Sequence, residues 1–421
     1  MKPNCFAVAC YCLVALAGVT NSFGQSQEVE RPILFNLGPS ARPWNFTPEV
    51  IDHIDSLPFS GITLNMPIAF LAMHSVEYGP FTEQELHGQF GDLDFSFNSV
   101  DQNWVSVVVR RNGTLPAEGD FFDDAAWETT VDQFRLLARV ARTPRYQCKG
   151  IFFDNEEYFE GVWNYPDDVA FAQTYSLAEY QDKARQRGQE IFQAIESEWP
   201  EAEIIFAHGP YLSAPEDRPF EVSMDQVAGW WEYELFAPFF YGMAEIANDQ
   251  QIIDGGEVYQ LRTVEQFAIN HDWRTNDIAN SIVVPDILQD IYSDRVGVTH
   301  GLYNLSWPTP QDVMNPEIMR TTLNNALRSN GQHVWIFTEA GDTWLEPGGF
   351  SQAWRDNIEA GFSDAIVTPG DVNEDGEVNL LDVDPFVVCL SGGNFHAAAD
   401  VNGDDVVNLL DVGPFISLLS N

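Results

Sequence analysis

The stretch Lys149-Gly-Ile-Phe-Phe-Asp-Asn-Glu-Glu-Tyr158 joins a short apolar run directly to a cluster of acidic side chains. The run 150–153 has the length and the apolar character of a strand that is buried on both faces. Ending such a strand in Asp154, Glu156 and Glu157 is costly unless the strand opens into a polar cavity. Because side chains alternate along a strand, Asp154 and Glu156 are predicted to share one face, opposite Asn155.

The chain from residue 25 to residue 365 alternates between candidate strands and helix-length amphipathic stretches. Strands that alternate with helices form a parallel sheet, and eight such units make a (β/α)8 or TIM barrel of the α/β class. A doubly wound open sheet is the alternative, but Gly38–Pro43, after the first strand, lacks the glycine-rich turn of a dinucleotide-binding fold. The candidate strands are 33–37, 61–66, 104–110, 150–153, 203–207, 251–254, 296–304 and 333–338.

Four stretches have the apolar periodicity of helices, at 130–141, 177–199, 224–247 and 316–329. Within the third of them, residues 235–241 also have the composition of a strand. We interpret these residues as helix because the pattern around them has helical length and 252–253 follows with a sharper strand pattern.

Residues 1–24 have the features of a secretory signal peptide. Lys2 supplies the positive start, 6–19 is mostly apolar, and small residues follow, so the mature chain is expected to begin near Gln25. No later run is apolar and long enough to span a bilayer. We therefore expect an exported protein, either secreted or at the cell surface. Cys148 and Cys389 alone remain after cleavage, which argues against a disulfide framework.

The composition is strongly acidic, with 64 acidic side chains against 20 basic ones and a formal charge of −44. Such a surface argues against nucleic acid or an anionic membrane as a partner. It suits an exterior rich in salt or calcium, where the repulsion between carboxylates is screened.

A twelve-residue motif near the C-terminus occurs twice, as Asp371–Asp382 and again as Asp400–Asp411. Calcium binds hard oxygen ligands that alternate along a flexible loop and end at its twelfth position. Both copies place oxygen ligands at these positions, so the sequence predicts two Ca²⁺ ions here and no cofactor in the barrel. The predicted ligands are Asp371, Asn373, Asp375, the Glu377 carbonyl, Asn379 and Asp382, then Asp400, Asn402, Asp404, the Val406 carbonyl, Asn408 and Asp411.

This pair of repeats resembles a type I dockerin, a small all-α module with two calcium loops that is appended to exported carbohydrate-active enzymes. The resemblance covers 371–421, after a linker at 366–370, and it implies docking to a cohesin partner. The residues themselves indicate only a small calcium module, which could equally attach the protein to a cell-surface partner. Asp405 stands where the first loop has Gly376, so the second loop is expected to bind calcium less tightly.

The end of the fourth strand resembles two groups of barrel glycoside hydrolases. Asn155-Glu156 is similar to the retaining (β/α)8 enzymes, in which the Glu is the acid/base and the Asn holds the sugar 2-hydroxyl. Asp154-x-Glu156 is similar to chitinase-like barrels, in which the Glu is the acid and the Asp orients a substrate acetamido group that acts as nucleophile. Both resemblances imply that Glu156 is the proton donor.

Other strand ends offer partners for Glu156, since the carboxyl ends of barrel strands meet at one rim. The retaining enzymes carry their nucleophile on strand seven, but 298–304 has no carboxylate. The further catalytic candidates are Glu339 and Glu257, and the substrate-binding candidates are Asn155, Tyr158, Trp163, His208, Tyr211, Asp254 and Trp344.

The sequence therefore predicts an exported barrel that hydrolyses glycosidic bonds of a carbohydrate substrate by carboxyl acid catalysis. A catalytically silent carbohydrate-binding or surface-assembly barrel is one alternative, and a polysaccharide lyase is another. Metal catalysis is poorly supported, because neither His-x-His nor His-Glu-x-x-His occurs.

Overall fold

The computed structural model describes most of the chain between residues 29 and 420. The predicted signal peptide, Tyr158, Asp375, Asp404 and residues 224–232 lie outside the described residues. The described ranges are 29–65, 80–91, 96–108, 121–156, 161–213, 233–248, 250–278, 288, 290–305, 313–329, 333–339, 342–366, 368–373, 377–392, 396–403 and 406–420.

The described strands form one parallel sheet, in the order β7-β6-β5-β4-β3-β2-β1-β9-β8. Sequential parallel neighbours require a crossover between strands, and helical segments supply it. The strands are β1 (Ile33–Asn36), β2 (Gly61–Leu64), β3 (Asn103–Val108), β4 (Cys148–Asp154), β5 (Glu203–Phe206), β6 (Ile252–Asp254), β7 (Val296–Val298), β8 (His300–Tyr303) and β9 (Val334–Thr338).

The sheet closes on itself because β7 and β8 are two halves of one extended segment, interrupted only at Thr299. Its first half pairs with β6 and its second half with β9, while β9 also pairs with β1. Thr299 N donates to Asp254 O at 2.9 Å and Gly301 N donates to Gly256 O at 3.2 Å, so the second half stays beside the chain that leaves β6. The result is a barrel of eight parallel strand segments.

This architecture confirms the predicted parallel α/β barrel, and the open-sheet alternative is wrong because the segment formed by β7 and β8 pairs with β6 at one end of the strand order and with β9 at the other. Each strand predicted from the sequence overlaps an observed one. Residues 236–246 are helical, as expected for the segment that also resembled a strand.

The helices surround the barrel and begin at residues that satisfy their free N–H groups. Thr82, Ser176 and Thr263 each accept a hydrogen bond from the third residue of the helix that follows. The helices are α1 (Pro48–Asp55), α2 (Glu83–Gln89), α3 (Asp124–Ala141), α4 (Leu177–Glu198), α5 (Phe236–Ile246), α6 (Val264–Asp272), α7 (Tyr292–Arg295), α8 (Pro316–Leu327), α9 (Gln352–Ala365), α10 (Val383–Gly392) and α11 (Val412–Leu419).

Large aromatic side chains fill the barrel interior. The ring of Phe35 lies 4.1 Å from that of Phe152 and 5.1 Å from that of Trp335, measured between centroids. These residues come from β1, β4 and β9, so the contact between Phe35 and Phe152 crosses the barrel. Since Phe152 points inward, Asp154, two residues further along β4, is directed to the same side at the rim. The packed interior thus forms the floor beneath the end of β4.

The C-terminal repeats place α10 and α11 together around a small core of their own. Phe386 and Phe415 stack with ring centroids 4.1 Å apart and planes at 5°. The second repeat also contacts the barrel: Arg328 Nη1, just after α8, donates to Asp400 O at 3.5 Å. Gly403, at φ +73°, lies so close to Val264 of α6 that an added Cβ would be 2.6 Å from a methyl carbon. No helix within the described residues is both long enough and apolar enough to cross a membrane.

Candidate active site

Asp154 ends β4 and is almost completely buried, with 2% of its surface exposed. Its Oδ1 accepts a hydrogen bond of 3.2 Å from Glu156 N, which turns the chain so that the two carboxyl groups stay on one side. Burial, followed by the charges of Glu156 and Glu257, raises the pKa of Asp154 well above its usual range. Burial and the neighbouring charges therefore favour the protonated form of Asp154.

Asn155 faces away from this side and is fully buried. Its Nδ2 donates to His208 O at 3.2 Å, and its Oδ1 accepts from His208 N at 3.0 Å. The side chain therefore joins the end of β4 to the end of β5. This differs from the expected contact with a sugar 2-hydroxyl, because no part of Asn155 reaches the surface.

Glu257 follows β6 after a tight turn. Asp254 Oδ1 accepts from Gly256 N at 2.9 Å, and Glu257 N donates to Ala207 O at 3.1 Å, so the turn leans over the end of β5. Gly256 has φ +60°, and an added Cβ would meet the Arg274 guanidinium at 2.1 Å, so the turn requires glycine. Burial and then the charge of Glu156 raise the pKa of Glu257 to about 7.

His208, at the end of β5, lies between the two glutamates. Its Nε2 is 3.6 Å from Glu156 Oε1 and 3.5 Å from Glu257 Oε2. These three atoms all lie within 4.8 Å of one another. On the other side of the ring, Nδ1 is 3.3 Å from Tyr211 OH, and Tyr259 OH donates to Glu257 Oε1 at 2.6 Å. The neighbouring tyrosines thus fix which atoms of His208 and Glu257 face the shared space.

Glu339, after β9, is directed to a different partner. Tyr303 OH donates a short hydrogen bond to Glu339 Oε1, and the Tyr303 ring stacks on Tyr259 with centroids 4.9 Å apart. Glu339 is exposed, and its charge raises the pKa of Glu257 less than the charge of Glu156 does. The structure therefore brings Glu257, and not Glu339, next to Glu156. Sequence reasoning missed the role of Tyr303, although it ends the strand segment that carries no carboxylate.

Asp254 and Arg274 form a fully buried ion pair, with Arg274 Nη1 3.0 Å from Asp254 Oδ1. Arg274 also donates to Thr299 O at 2.7 Å, which ties β6 to the interruption between β7 and β8. Asp254 was expected to contact substrate, but it supports the rim from below because it has no exposed surface. Arg274 lies in a helical stretch, and nothing in its sequence context indicated this contact.

The aromatic substrate-binding candidates that the structure describes lie in the core. Trp163 is fully buried against Phe236 and Phe239, and its Nε1 donates to Asn155 O at 3.3 Å. Trp344 packs on Phe350 at 4.9 Å, and Tyr211 is buried beside His208. These three rings support the rim and present no open face to a ligand, because their faces pack on neighbouring side chains.

The two C-terminal loops repeat the same hydrogen bonds. Asp382 accepts from Asn373 N at 3.0 Å and from Asn379 N at 2.8 Å. Asp411 accepts from Asn402 N at 3.1 Å and from Asn408 N at 2.8 Å. The acids that begin and end each loop are all buried, namely Asp371, Asp382, Asp400 and Asp411. Buried carboxylates folded around short loops are the donor set of a hard cation such as Ca²⁺.

No protein-family model matches this sequence, and no curated protein matches it either. Among solved structures, the endo-β-1,4-mannanase from Thermotoga petrophila superposes with a TM-score of 0.44 and 12% identity, over 84% of this chain and 79% of the mannanase. A glycoside hydrolase family 5 enzyme from Prevotella bryantii gives 0.43 and 9%, over 79% and 96%. A family 18 chitinase from Pseudoalteromonas aurantia gives 0.37 and 10%, over 79% and 99%. The fold assignment rests on the strand order described above.

Proposed function

We propose that the barrel hydrolyses glycosidic bonds and that Glu156 and Glu257 are its two catalytic carboxyl groups. The observation that carries this proposal is their distance, since one oxygen of each lies within 4.8 Å of the other at the carboxyl ends of β4 and β6. Retaining glycosidases hold their two carboxyl groups about 5–5.5 Å apart, and inverting ones about 6.5–9.5 Å apart. The close spacing supports retention of configuration.

In this mechanism a carboxylic acid protonates the leaving oxygen while a carboxylate attacks the anomeric carbon, and water later hydrolyses the glycosyl-enzyme ester. The strand-four resemblance assigns the acid to Glu156 and leaves the nucleophile to Glu257. Burial and the charge of Glu156 raise the pKa of Glu257 to about 7, so the site holds a proton near neutral pH. In this assignment that proton passes from Glu257 to Glu156 before the reaction, which leaves Glu257 as the attacking carboxylate.

A substrate-assisted mechanism is the second candidate, and two observations favour it over the Asn155-Glu156 resemblance. Asn155 is fully buried and bonded to the His208 backbone, so it is not placed to hold a sugar hydroxyl. Asp154 is instead the inward-facing neighbour of Glu156, and burial raises its pKa well above the usual range. In that case the substrate carries an acetamido group, Asp154 orients it, and Glu156 remains the proton donor.

The test is a glycan panel followed by three isosteric variants, Glu156→Gln, Glu257→Gln and Asp154→Asn, on the glycan that the wild type cleaves. We expect Glu156→Gln to lower kcat by roughly 10²–10⁴, the usual contribution of a general acid. A severe loss in Glu257→Gln with a mild loss in Asp154→Asn supports the two-carboxylate mechanism, and the reverse supports substrate assistance. Full activity in both glutamate variants would overturn the proposal. A wild type that binds glycans but cleaves none would favour the silent barrel.

We also propose that residues 371–421 bind two Ca²⁺ ions and dock the exported protein to a cohesin-like or cell-surface partner. Both repeats leave a leucine pair largely exposed: Leu380 and Leu381 are 79% and 67% exposed, and Leu409 and Leu410 are 79% and 68% exposed. Apolar side chains exposed at matching places of a duplicated module support a protein-binding surface.

Docking can be tested by titrating the full-length protein with immobilised type I cohesins in calcium buffer. We expect binding to weaken when Leu380 and Leu381, or Leu409 and Leu410, are replaced by Ser, without a change in thermal unfolding, since these side chains are exposed. No binding to any cohesin tested would leave a cell-surface partner as the docking target to be examined by the same titration.

N-terminal sequencing of secreted material should return Gln25, and material that starts at Met1 would contradict export.

A further inference from the structure

The space shared by Glu156, His208 and Glu257 has the geometry of a metal site. His208 Nε2 is 3.6 Å and 3.5 Å from the two carboxylate oxygens, which is longer than a direct hydrogen bond. A tetrahedral ion with bonds of about 2.1 Å keeps its ligand atoms roughly 3.4 Å apart. We infer that Glu156, His208 and Glu257 together bind a divalent transition-metal ion of the Zn²⁺ type, leaving a coordination position open toward the barrel mouth.

The surrounding groups orient each ligand atom toward the ion. Tyr211 OH contacts His208 Nδ1 at 3.3 Å, while the oxygens of both glutamates lie on the Nε2 side of the ring. Tyr259 OH occupies Oε1 of Glu257 at 2.6 Å, which leaves Oε2 free to coordinate. Metal-binding histidines and carboxylates usually have such hydrogen-bonded neighbours, because these fix the tautomer and the ring orientation.

Asp154 is an independent indication of a cation at this position. It is 2% exposed, yet among the described residues only Glu156 N donates to its side chain, at Oδ1. Buried carboxyl groups are usually paired with a cation or coordinate a metal. The nitrogen ligand favours Zn²⁺ or Co²⁺ over Ca²⁺, which prefers oxygen ligands alone.

The consequence for hydrolysis is inhibition. An ion bound to Glu156 and Glu257 occupies the carboxylate oxygens that the proposed acid and nucleophile need for catalysis. The protein can then either bind the metal or protonate its substrate, but it cannot do both at once. This consequence rests on the proposed glycosidase function, whereas the binding itself does not, so the two can fail separately.

The binding is tested by titrating full-length protein with Co²⁺ in a buffer with saturating Ca²⁺, so that the C-terminal loops are filled. We expect one Co²⁺ per chain with the visible absorption of a four-coordinate ion, displaced by Zn²⁺. His208→Gln and Glu257→Gln should each weaken binding at least about tenfold, and Tyr211→Phe about 10–100-fold, as is usual for a neighbour of a ligand. All variants are compared by near-ultraviolet circular dichroism to confirm folding.

The matched control is His87→Gln, because His87 also lies beside a glutamate but has a single carboxylate, Glu83, at 3.9 Å. Its Co²⁺ affinity should equal that of the wild type. The inference is overturned if the wild type gives no four-coordinate Co²⁺ absorption. It is also overturned if the folded Glu257→Gln protein, which keeps the shape of the site, binds Co²⁺ as tightly as the wild type.

Discussion

Asn155 and His208 exchange hydrogen bonds in both directions, at 3.2 Å and 3.0 Å, and thereby join the ends of two neighbouring strands. Asn155→Ala removes the hydrogen bonds that Asn155 makes to the buried N–H and C=O of His208, at a cost of about 1–3 kcal/mol each. We expect the unfolding free energy to fall by about 2–6 kcal/mol, the sum of the two costs, together with lower activity, since His208 moves.

Urea unfolding measures the loss. The control is Asn45→Ala, whose hydrogen bond to Pro39 O is exposed, and it should change stability by less than about 0.5 kcal/mol. Equal effects in the two variants would mean that the exchange between Asn155 and His208 contributes nothing specific.

The activity of the wild type should fall as the pH rises through about 7. Glu257 keeps its proton below its raised pKa of about 7 and loses it above that pH. Because proton donation to the leaving oxygen requires that proton, kcat/KM in metal-free buffer should decline on the alkaline side. A profile that stays flat from about one pH unit below the pKa of Glu257 to about two units above it would contradict the assignment of the proton to this site.

Glu339→Gln should lower kcat less than tenfold, in contrast to Glu257→Gln. Glu339 is exposed and bonded to Tyr303, so its removal disturbs the ring stack and not the carboxyl pair. Steady-state kinetics on the same glycan measure both variants. A loss of about 10⁴ or more in Glu339→Gln would identify Glu339 as the nucleophile instead, because that is the scale of a catalytic group.

Glu203 at the opposite end of the barrel should make the fold sensitive to acid. Burial alone would raise the pKa of Glu203, but hydrogen bonds and charge from His333, at 2.7 Å, and Lys149, at 2.9 Å, outweigh it and lower the pKa below 4.5. A lowered pKa contributes stability that is fully present above 4.5 and is lost as the pH falls through the folded-state value.

Glu203→Gln should therefore lose stability at neutral pH and show a shallower decline below pH 4.5 than the wild type. Thermal unfolding at a series of pH values measures this. Glu317→Gln, at an exposed position on α8, should follow the wild-type curve. If both variants show the same pH dependence as the wild type, the contacts of Glu203 are not linked to acid unfolding.

Removal of calcium should unfold residues 371–421 while the barrel remains folded, because the binding energy of each ion is also folding energy of this small module. Its core is limited to a few side chains around the Phe386 and Phe415 stack. Calorimetry with and without a chelator should show one calcium-dependent transition. Asp382→Ala should weaken the tighter first loop and Asp411→Ala the weaker second loop. A scan without any calcium-dependent transition would contradict this prediction.

The barrel could be predicted from the sequence because strands buried on both faces leave continuous apolar runs, and the run before Asp154 is one of them. The inward direction of Asp154 followed from the alternation of a strand. The role of Asn155 could not be predicted, because it depends on pairing with His208, which lies 53 residues away along the chain. The predicted contact of Trp163 with substrate could not be judged from the sequence for a related reason. An aromatic residue near the rim can face a ligand or pack into the core, and the position of α5 determines which of the two occurs.

Gly403 makes the two repeats unequal. The first repeat has Glu374 at the matching position, and no side chain fits where Gly403 meets Val264 and Asn325. The absence of a side chain at Gly403 lets the second repeat pack against α6 and α8. A partner bound to the leucine pairs of this module would therefore hold the barrel in a fixed orientation. A pulling force on that partner would be transmitted to the end of α8 through the hydrogen bond between Arg328 and Asp400.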